Sequence, residues 1–487
     1  MRAQLRELNG TRAAAAAGSV LLIVVALAAS EVAAAPARGS GSAAAVHRLP
    51  GGILGAAPPQ AQKQLRLTPP TLAQCLKATG DACYSPSQLQ HAYDLGPLYA
   101  QGFDGRGSTI VIVDPFGSPT IGHDLGVFDS ELGLPNPPAF RVLQPVGPVP
   151  PFDPNNPEMV EKAGETTLDV EWSHAVAPKA NILLVETATK ETASGGGFPQ
   201  MLAAETYVID HNLGDVISQS FSLPEQNFPS RAFIMRLRRT YINADRNRVT
   251  MLAASNDNGV TGPTPPGPFY THRVVEWPAS DPLVAAVGGT QLHLTSAGRR
   301  TSPDSAWNDT WNRSVAKLTQ MPVPFPWAGN GGVSAIFARP SYQNSVRRSV
   351  GNRRGVPDVA MSGSFSGAVL VFSSYLGSAR WGQAGGTSEA TPEFAGIVAI
   401  ADQYARTRLH RGRLGLINPA LYRLHRRPAG GIVEVKQGNS TVTFPVPPSG
   451  RQTFTLRGYR AHAGYNLVTG VGTIDAARFV PALARAG

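Results

Sequence analysis

The segment Gly385-Gly386-Thr387-Ser388-Glu389-Ala390-Thr391-Pro392 sets a serine behind two glycines and ahead of a long apolar run. Glycine permits a tight turn from which Ser388 can project, and Pro392 suits the first turn of a helix. Unpaired N–H groups at a helix start favour negative charge developing beside such a hydroxyl. The segment therefore offers a serine nucleophile, or, more plainly, an N-cap on a structural helix.

A serine nucleophile needs a base. None of the ten histidines stands in a His-Gly-Thr setting. The acids are more suggestive. In Gly164-Glu165-Thr166-Thr167-Leu168-Asp169-Val170-Glu171-Trp172, Glu165 and Asp169 are four apart, with Leu168, Trp172 and Ala175 supplying an apolar face beside them. On a helix that spacing puts both carboxylates on one side. Two like charges so close raise one pKa, and such a pair can hold and pass a proton. The simpler reading is a solvated helix face. A third acid, Asp257, follows the apolar run that ends in Ala253-Ala254-Ser255-Asn256. The C-terminal end of a buried strand is where α/β sheets carry ligands and reacting groups; an Asx turn would also account for it.

The elements that must position these residues alternate. Thr109 to Asp114 is apolar without alternation, as in a strand buried on both faces. Strand patterns recur at 181–185, 215–221, 249–254, 283–287 and 367–372, and helical patterns at 165–175, 199–209, 233–245 and 392–406. That succession predicts an α/β fold with a mostly parallel central sheet flanked by helices. A β excursion is expected between 430 and 460, through Ile432-Val433-Glu434-Val435 and Thr453-Phe454-Thr455-Leu456.

Composition narrows the class. Glycine (51) and proline (42) make about a fifth of the 487 residues, against roughly an eighth in an average protein, which reads as a loop-rich enzyme. The net charge of +10 rests on 43 scattered basic residues, with no basic stripe interleaved with aromatics, so no nucleic-acid partner is expected. Arg2, Arg6 and Arg12 precede an apolar stretch from Ala13 to Ala29 and small residues at Ala33-Ala34-Ala35. This predicts a signal peptide over 1–35 and a secreted protein; membrane association follows only if that segment stays uncleaved as an anchor. Residues 36–82 read as a linker. The two cysteines, Cys75 and Cys83, are expected to form a disulfide at its end, in an oxidising compartment.

Taken in order, these segments resemble the sedolisin family of serine-carboxyl peptidases, whose fold is subtilisin-like. The resemblance runs from about Cys83 to Ala484, within a peptidase domain expected over 83–487. It is carried by Gly105-Arg106-Gly107, Glu165-x-x-Leu168-Asp169, Ala177-Pro178-Lys179-Ala180-Asn181-Ile182, Asp257 with Gly259, and Pro278-Ala279-Ser280-Asp281-Pro282. Val287-Gly288-Gly289-Thr290, Gly331-Gly332-Val333-Ser334, Pro340-Ser341-Tyr342-Gln343, Val356-Pro357-Asp358-Val359, Gly386-Thr387-Ser388-x-x-x-Pro392, Asn418-Pro419-Ala420-Leu421-Tyr422 and Val468-Thr469-Gly470-Val471-Gly472 continue it. The resemblance implies that Ser388 is the nucleophile, Glu165 the general base, Asp169 the third member of the triad and Asp257 the oxyanion-hole acid. It implies a secreted endopeptidase acting on protein or peptide substrates, in acid, because a carboxyl group donates a hydrogen bond only when protonated.

The sequence also departs from the family. Gly385 stands where a serine often begins the nucleophile motif, Asn256 where glycine usually precedes the acid, and Phe221-Ser222 where Trp-Gly is usual. The last change is expected to reshape the substrate cleft. The family's calcium site near the C-terminus matches Glu434 with Val435, then His462, Gly464 and Asn466, so that Glu and Asn stand where aspartates are expected. No cofactor is therefore assigned, Ca²⁺ being the one the family implies. The stretch between residues 35 and 84 is short for the family's prodomain. Two other readings stay open. One is a triad of Asp114, His123 or His174, and Ser388; the other is a secreted, peptidase-like binding protein without turnover.

Overall fold

The computed structural model describes residues 68–265, 269–319, 321–446 and 452–487. The expected signal peptide, 1–35, lies outside them.

Eight strands build the central sheet: β1 (Thr109–Pro115), β2 (Phe140–Leu143), β3 (Asn181–Thr187), β4 (Val216–Gln219), β5 (Thr250–Ala254), β6 (Ala285–Gln291), β7 (Ser305–Ala306) and β8 (Val359–Ser362). Their order is β7-β6-β5-β4-β1-β3-β2, with β8 also pairing β6. Every pairing is parallel except that of β7 with β6. The expected mostly parallel α/β sheet is thus present.

Side chains alternate across a strand, and here both faces are apolar. Ile110 and Ile112 of β1 join one core with Ile182, Leu184 and Val216. Val111 and Val113 join the opposite core with Leu183, Val185 and Ile217. Two long helices cover the first face: α1 (Pro157–Val176) and α2 (Thr387–Leu409). On the other face lie the helices Phe198–Asp210, Arg231–Leu237 and Arg239–Arg246. The single helix expected over 233–245 is two.

Helix α1 starts at Pro157, where the Asn156 side chain caps the Glu158 N–H at 3.0 Å. It is buried nearly throughout, and its polar residues are used. The Trp172 indole donates to Leu370 O at 2.8 Å, and Glu171 accepts from Phe372 N at 3.1 Å. Both tie α1 to the hairpin of β9 (Ala368–Ser373) and β10 (Arg380–Ala384).

Helix α2 begins five residues earlier than the Pro392 pattern predicts, so Pro392 lies inside it. Its missing N–H leaves the Ser388 carbonyl without its intrahelical donor. The end of the expected linker is also ordered. Leu72–Thr79 is a helix capped reciprocally by Thr71 and Gln74, and Cys83–Tyr84 pairs in parallel with Ala368–Val369. Cys75 and Cys83 are bonded to each other in a structured, buried setting. The β excursion consists of Ile432–Val433 against Thr473–Ile474, and a hairpin of Val442–Val446 with Gln452–Leu456.

One buried ion pair fixes the sheet's β8 edge. Arg354 Nη1 and Nη2 donate to Asp358 Oδ1 and Oδ2 at 2.7 and 2.5 Å, both residues fully buried. Asp358 also accepts from the Ala286 N–H of β6 and the Tyr422 hydroxyl, each at 2.8 Å. Removing one partner strands a charge out of water. Arg354→Met is expected to lower stability by about 3–5 kcal/mol, read as a lower urea midpoint. Adding Asp358→Leu in the same chain is expected to recover part of that loss.

Candidate active site

The groups singled out in the sequence converge at the C-terminal edge of the parallel strands, where open α/β sheets hold their reacting groups. Asp114 stands near the end of β1, Asp257 follows β5, Glu165 and Asp169 lie on α1, and Ser388 sits in the first turn of α2. Glu165, Asp257 and Ser388 are each 1% exposed and Asp169 is fully buried, so the reading of Glu165 and Asp169 as a solvated helix face does not hold.

Ser388 is positioned by its neighbours. Gly386 has φ +106°, a backbone region that disfavours side chains, and a Cβ there would stand 2.6 Å from Asp257 Oδ2. The carboxylate thus lies directly against the turn. Thr387 then clamps it: its N–H and its hydroxyl donate to Asp257 Oδ1 at 2.7 and 2.8 Å, and its Oγ1 accepts from Asn256 N at 3.1 Å. Asn256 takes φ +91°, and its side-chain oxygen accepts from the N–H groups of Asp257 (2.5 Å) and Asn258 (2.9 Å). This Asx turn supports the left-handed residue in place of glycine. Gly385 stands where a serine is usual because Phe365 fills the space, 2.7 Å from where a Cβ would be.

The Ser388 hydroxyl lies near enough to the Glu165 carboxyl group to favour its ionised form. Burial pushes Glu165 well above the usual carboxylate range; the Lys162 ammonium and the Ser388 hydroxyl pull it back. Asp169, one turn further along α1, is raised by burial and then by the charges of Asp114 and Glu165. Burial lifts Asp114 to about 7 and Asp257 to about 6, the latter against the two Thr387 bonds. Asp114, Glu165 and Asp169 therefore influence one another's titration. An ionised Glu165 can take a proton from Ser388. A protonated Asp257 can donate to an oxyanion, beside the Ser388 N–H, which lies in a helix turn whose amides lack intrahelical acceptors.

Among the described residues, the two histidines of the alternative triad lie away from the site. His174 Nε2 lies 2.9 Å from Pro135 O and 3.1 Å from Asp129, and His123 is exposed on the helix Ile121–Leu132. The Asp-His-Ser alternative fails on these positions, although Asp114 does join the site.

Several residues escaped the sequence reading. Lys162 is 1% exposed and bonds Glu191 at 2.7 Å. It lies one turn before Glu165 on the same side of α1, an i, i+3 spacing that was available as a signal. Glu276 accepts from Ser222 at 2.5 Å and is raised by burial to about 8. Phe221 packs into the core, 5.7 Å from Phe198. Of the Phe221-Ser222 pair, it is therefore Ser222 that reaches this acidic group.

The calcium positions do not fit a cation. The Asn466 amide nitrogen donates to Val435 O (3.4 Å) and His462 O (3.2 Å), and Glu434 is engaged by Gly464 N–H (2.9 Å) and Lys436 (3.3 Å). Among the described residues no cluster of three or more His, Cys, Asp or Glu is set to hold a metal.

Two predictions follow from these charges. Asp114, Asp257 and Glu276, with Glu161 (about 7), bind their protons more tightly folded than unfolded. Their stabilisation is complete below an ordinary carboxylate pKa of about 4 and is lost as pH rises through 6 to 8. The thermal midpoint should be higher at pH 5 than at pH 8; a midpoint that rises toward pH 8 contradicts this. Lys162→Met removes the cation that favours ionised Glu165 and strands Glu191. It is expected to cost about 3–5 kcal/mol and to move the acid limb of any Glu165-dependent rate to higher pH. Lys162→Arg should restore both.

The chain's relatives share this architecture. A model of the subtilase family matches residues 158–413, from α1 through α2. Kumamolisin of Bacillus sp. (strain MN-32) is 29% identical over 423 residues, which cover 84% of this chain and 65% of kumamolisin. Tripeptidyl-peptidase 1 of Bos taurus is 27% identical over 260 residues, 50% of this chain and 39% of that protein. The chain thus spans less than two thirds of the length of these curated relatives. Among solved structures, Pseudomonas sedolisin, a serine-carboxyl proteinase complexed with two molecules of pseudo-iodotyrostatin, superposes with a TM-score of 0.65 at 25% identity. That match covers 82% of this chain and 97% of sedolisin. The chain belongs to the subtilase family and, within it, to the sedolisins.

Proposed function

We propose that the chain hydrolyses peptide bonds by acyl transfer at Ser388, in acid, with Glu165 as general base, Asp169 behind it and Asp257 as oxyanion donor. The observation that carries this reading is the convergence of Ser388, in the first turn of α2, on a carboxyl base, with a second acid held against the adjoining turn. Ser388 Oγ attacks the peptide carbonyl carbon while Glu165 takes its proton. The oxyanion is held by protonated Asp257 and the Ser388 N–H. As the C–N bond breaks, Glu165 returns the proton to the leaving amine. Water, losing a proton to Glu165, attacks the ester; the acid product departs and Ser388 is reprotonated.

The working state has Glu165 ionised and Asp257 protonated, one proton across two acids. Such a state is most populated between the pair's two macroscopic pKa values, whichever acid holds the proton more tightly. The rate profile is therefore bell-shaped. Its acid and alkaline limbs follow the pair's lower and upper macroscopic pKa values, both acids being raised by burial. Secretion is supported by the N-terminal pattern and by the Cys75–Cys83 disulfide, which needs an oxidising compartment.

Cleavage of a denatured protein by the purified chain, followed from about pH 3 to pH 8, tests the reading. Activity should peak on the acid side and fall by roughly 10⁴-fold or more in Ser388→Ala. Glu165→Gln should lose about 10²–10⁴-fold and Asp257→Ala about 10²–10³-fold. A folded chain that binds peptides and cleaves none at any pH would instead be a binding protein.

A further inference from the structure

The C-terminal segment carries an arrangement that the catalytic reading leaves unused. Asn466 is 1% exposed and its side chain is fully engaged. Its Oδ1 accepts from Val468 N (3.1 Å), Thr469 N (3.0 Å) and Thr469 Oγ1 (3.2 Å). Three donors on one atom fix the amide's orientation, because the reversed amide would set N–H against N–H. Nδ2 must therefore face Val435 O and His462 O, two inward-turned carbonyls from segments 27 residues apart. Carbonyls that converge in this way repel one another unless something positive lies between them, and here that is the amide's pair of N–H groups. Glu434 is satisfied in the same fashion. One oxygen accepts from Gly464 N, and the other pairs with Lys436 at 3.3 Å.

We propose that the Asn466 amide and the Lys436 ammonium replace the divalent cation implied at this position, so that the C-terminal loops are locked without metal. The lock stands on the edge of the central sheet. Asn466 and Gly470 exchange backbone hydrogen bonds at 3.0 Å, and Val471 N bonds Asp358 O at 2.8 Å, next to β8. An aspartate at 466 would keep the three bonds to Oδ1. Its second oxygen, however, would turn a negative charge onto Val435 O and His462 O, a contact that only a cation relieves.

Thermal unfolding of the full chain, in chelator and in millimolar calcium chloride, tests the proposal, alongside Asn466→Asp. The wild type should melt at the same temperature in both. Asn466→Asp should melt about 5 °C lower in chelator and regain most of the loss in calcium, as binding to the folded state requires. Calcium that raises the wild-type midpoint overturns the proposal, as does an Asn466→Asp chain that matches the wild type in chelator. If Asn466→Asp does not fold, the wild-type comparison decides alone. Lys436→Met then supplies the second variant, expected to melt slightly lower and equally so in both solutions.

Discussion

Carboxyl groups withdrawn from water at the ends of parallel strands set the terms for the rest of this molecule. Asp114, Glu165, Asp169, Asp257 and Glu276 are all buried, and the cation set among them is Lys162, itself paired with Glu191. Isolated ionised carboxylates cost far too much at such depth, so the group protonates instead. Protonation is also what a carboxyl group needs in order to donate a hydrogen bond. The same burial that forbids full ionisation therefore supplies both a proton acceptor and a proton donor within one cluster.

The positions of these acids depend on long-range contacts more than on local sequence. Asp257 caps the start of α2 from a loop 130 residues away, through the Thr387 N–H. That bond satisfies a donor that the helix cannot satisfy itself, and it sets where the helix begins, hence where Ser388 stands. Thr387 is the joint of the site, since it donates to Asp257 and accepts from Asn256, the residue before it. Behind it, α1 is held by Trp172 and Glu171 to the β9–β10 hairpin, whose β10 strand ends two residues before α2 begins.

What could be read in the sequence follows the same division. The unbroken apolar run of β1 declared a strand buried on both faces, and the i, i+4 spacing of Glu165 and Asp169 declared a shared helix face. Both signals are local. Proline normally opens helices, so the local pattern places the start of α2 at Pro392; the true cap comes from Asp257, which no local window contains. The helix Leu72–Thr79 was passed over as linker although Thr71-x-x-Gln74 is a capping box. Its alanine- and glutamine-rich surroundings hid it. Lys162 was legible by spacing, but its meaning depends on Glu191, which arrives from the loop after β3. The grouping of these side chains was thus legible, whereas its electrostatic balance was not.

The acid cluster and the C-terminal lock fit one another. A calcium held by aspartates is released when its ligands protonate, because metal binding and proton binding compete for the same oxygens. A chain whose buried acids take up protons as pH falls would lose such a clamp under the conditions that favour its core. An amide has no pKa in that range and a lysine stays charged throughout it. Burial would raise Glu434 beside this joint, but the Gly464 N–H and the charge of Lys436 outweigh it and hold the carboxyl below its usual value. Substituting Asn for Asp at 466 thus removes a proton-sensitive joint from a fold whose buried carboxyl groups favour low pH.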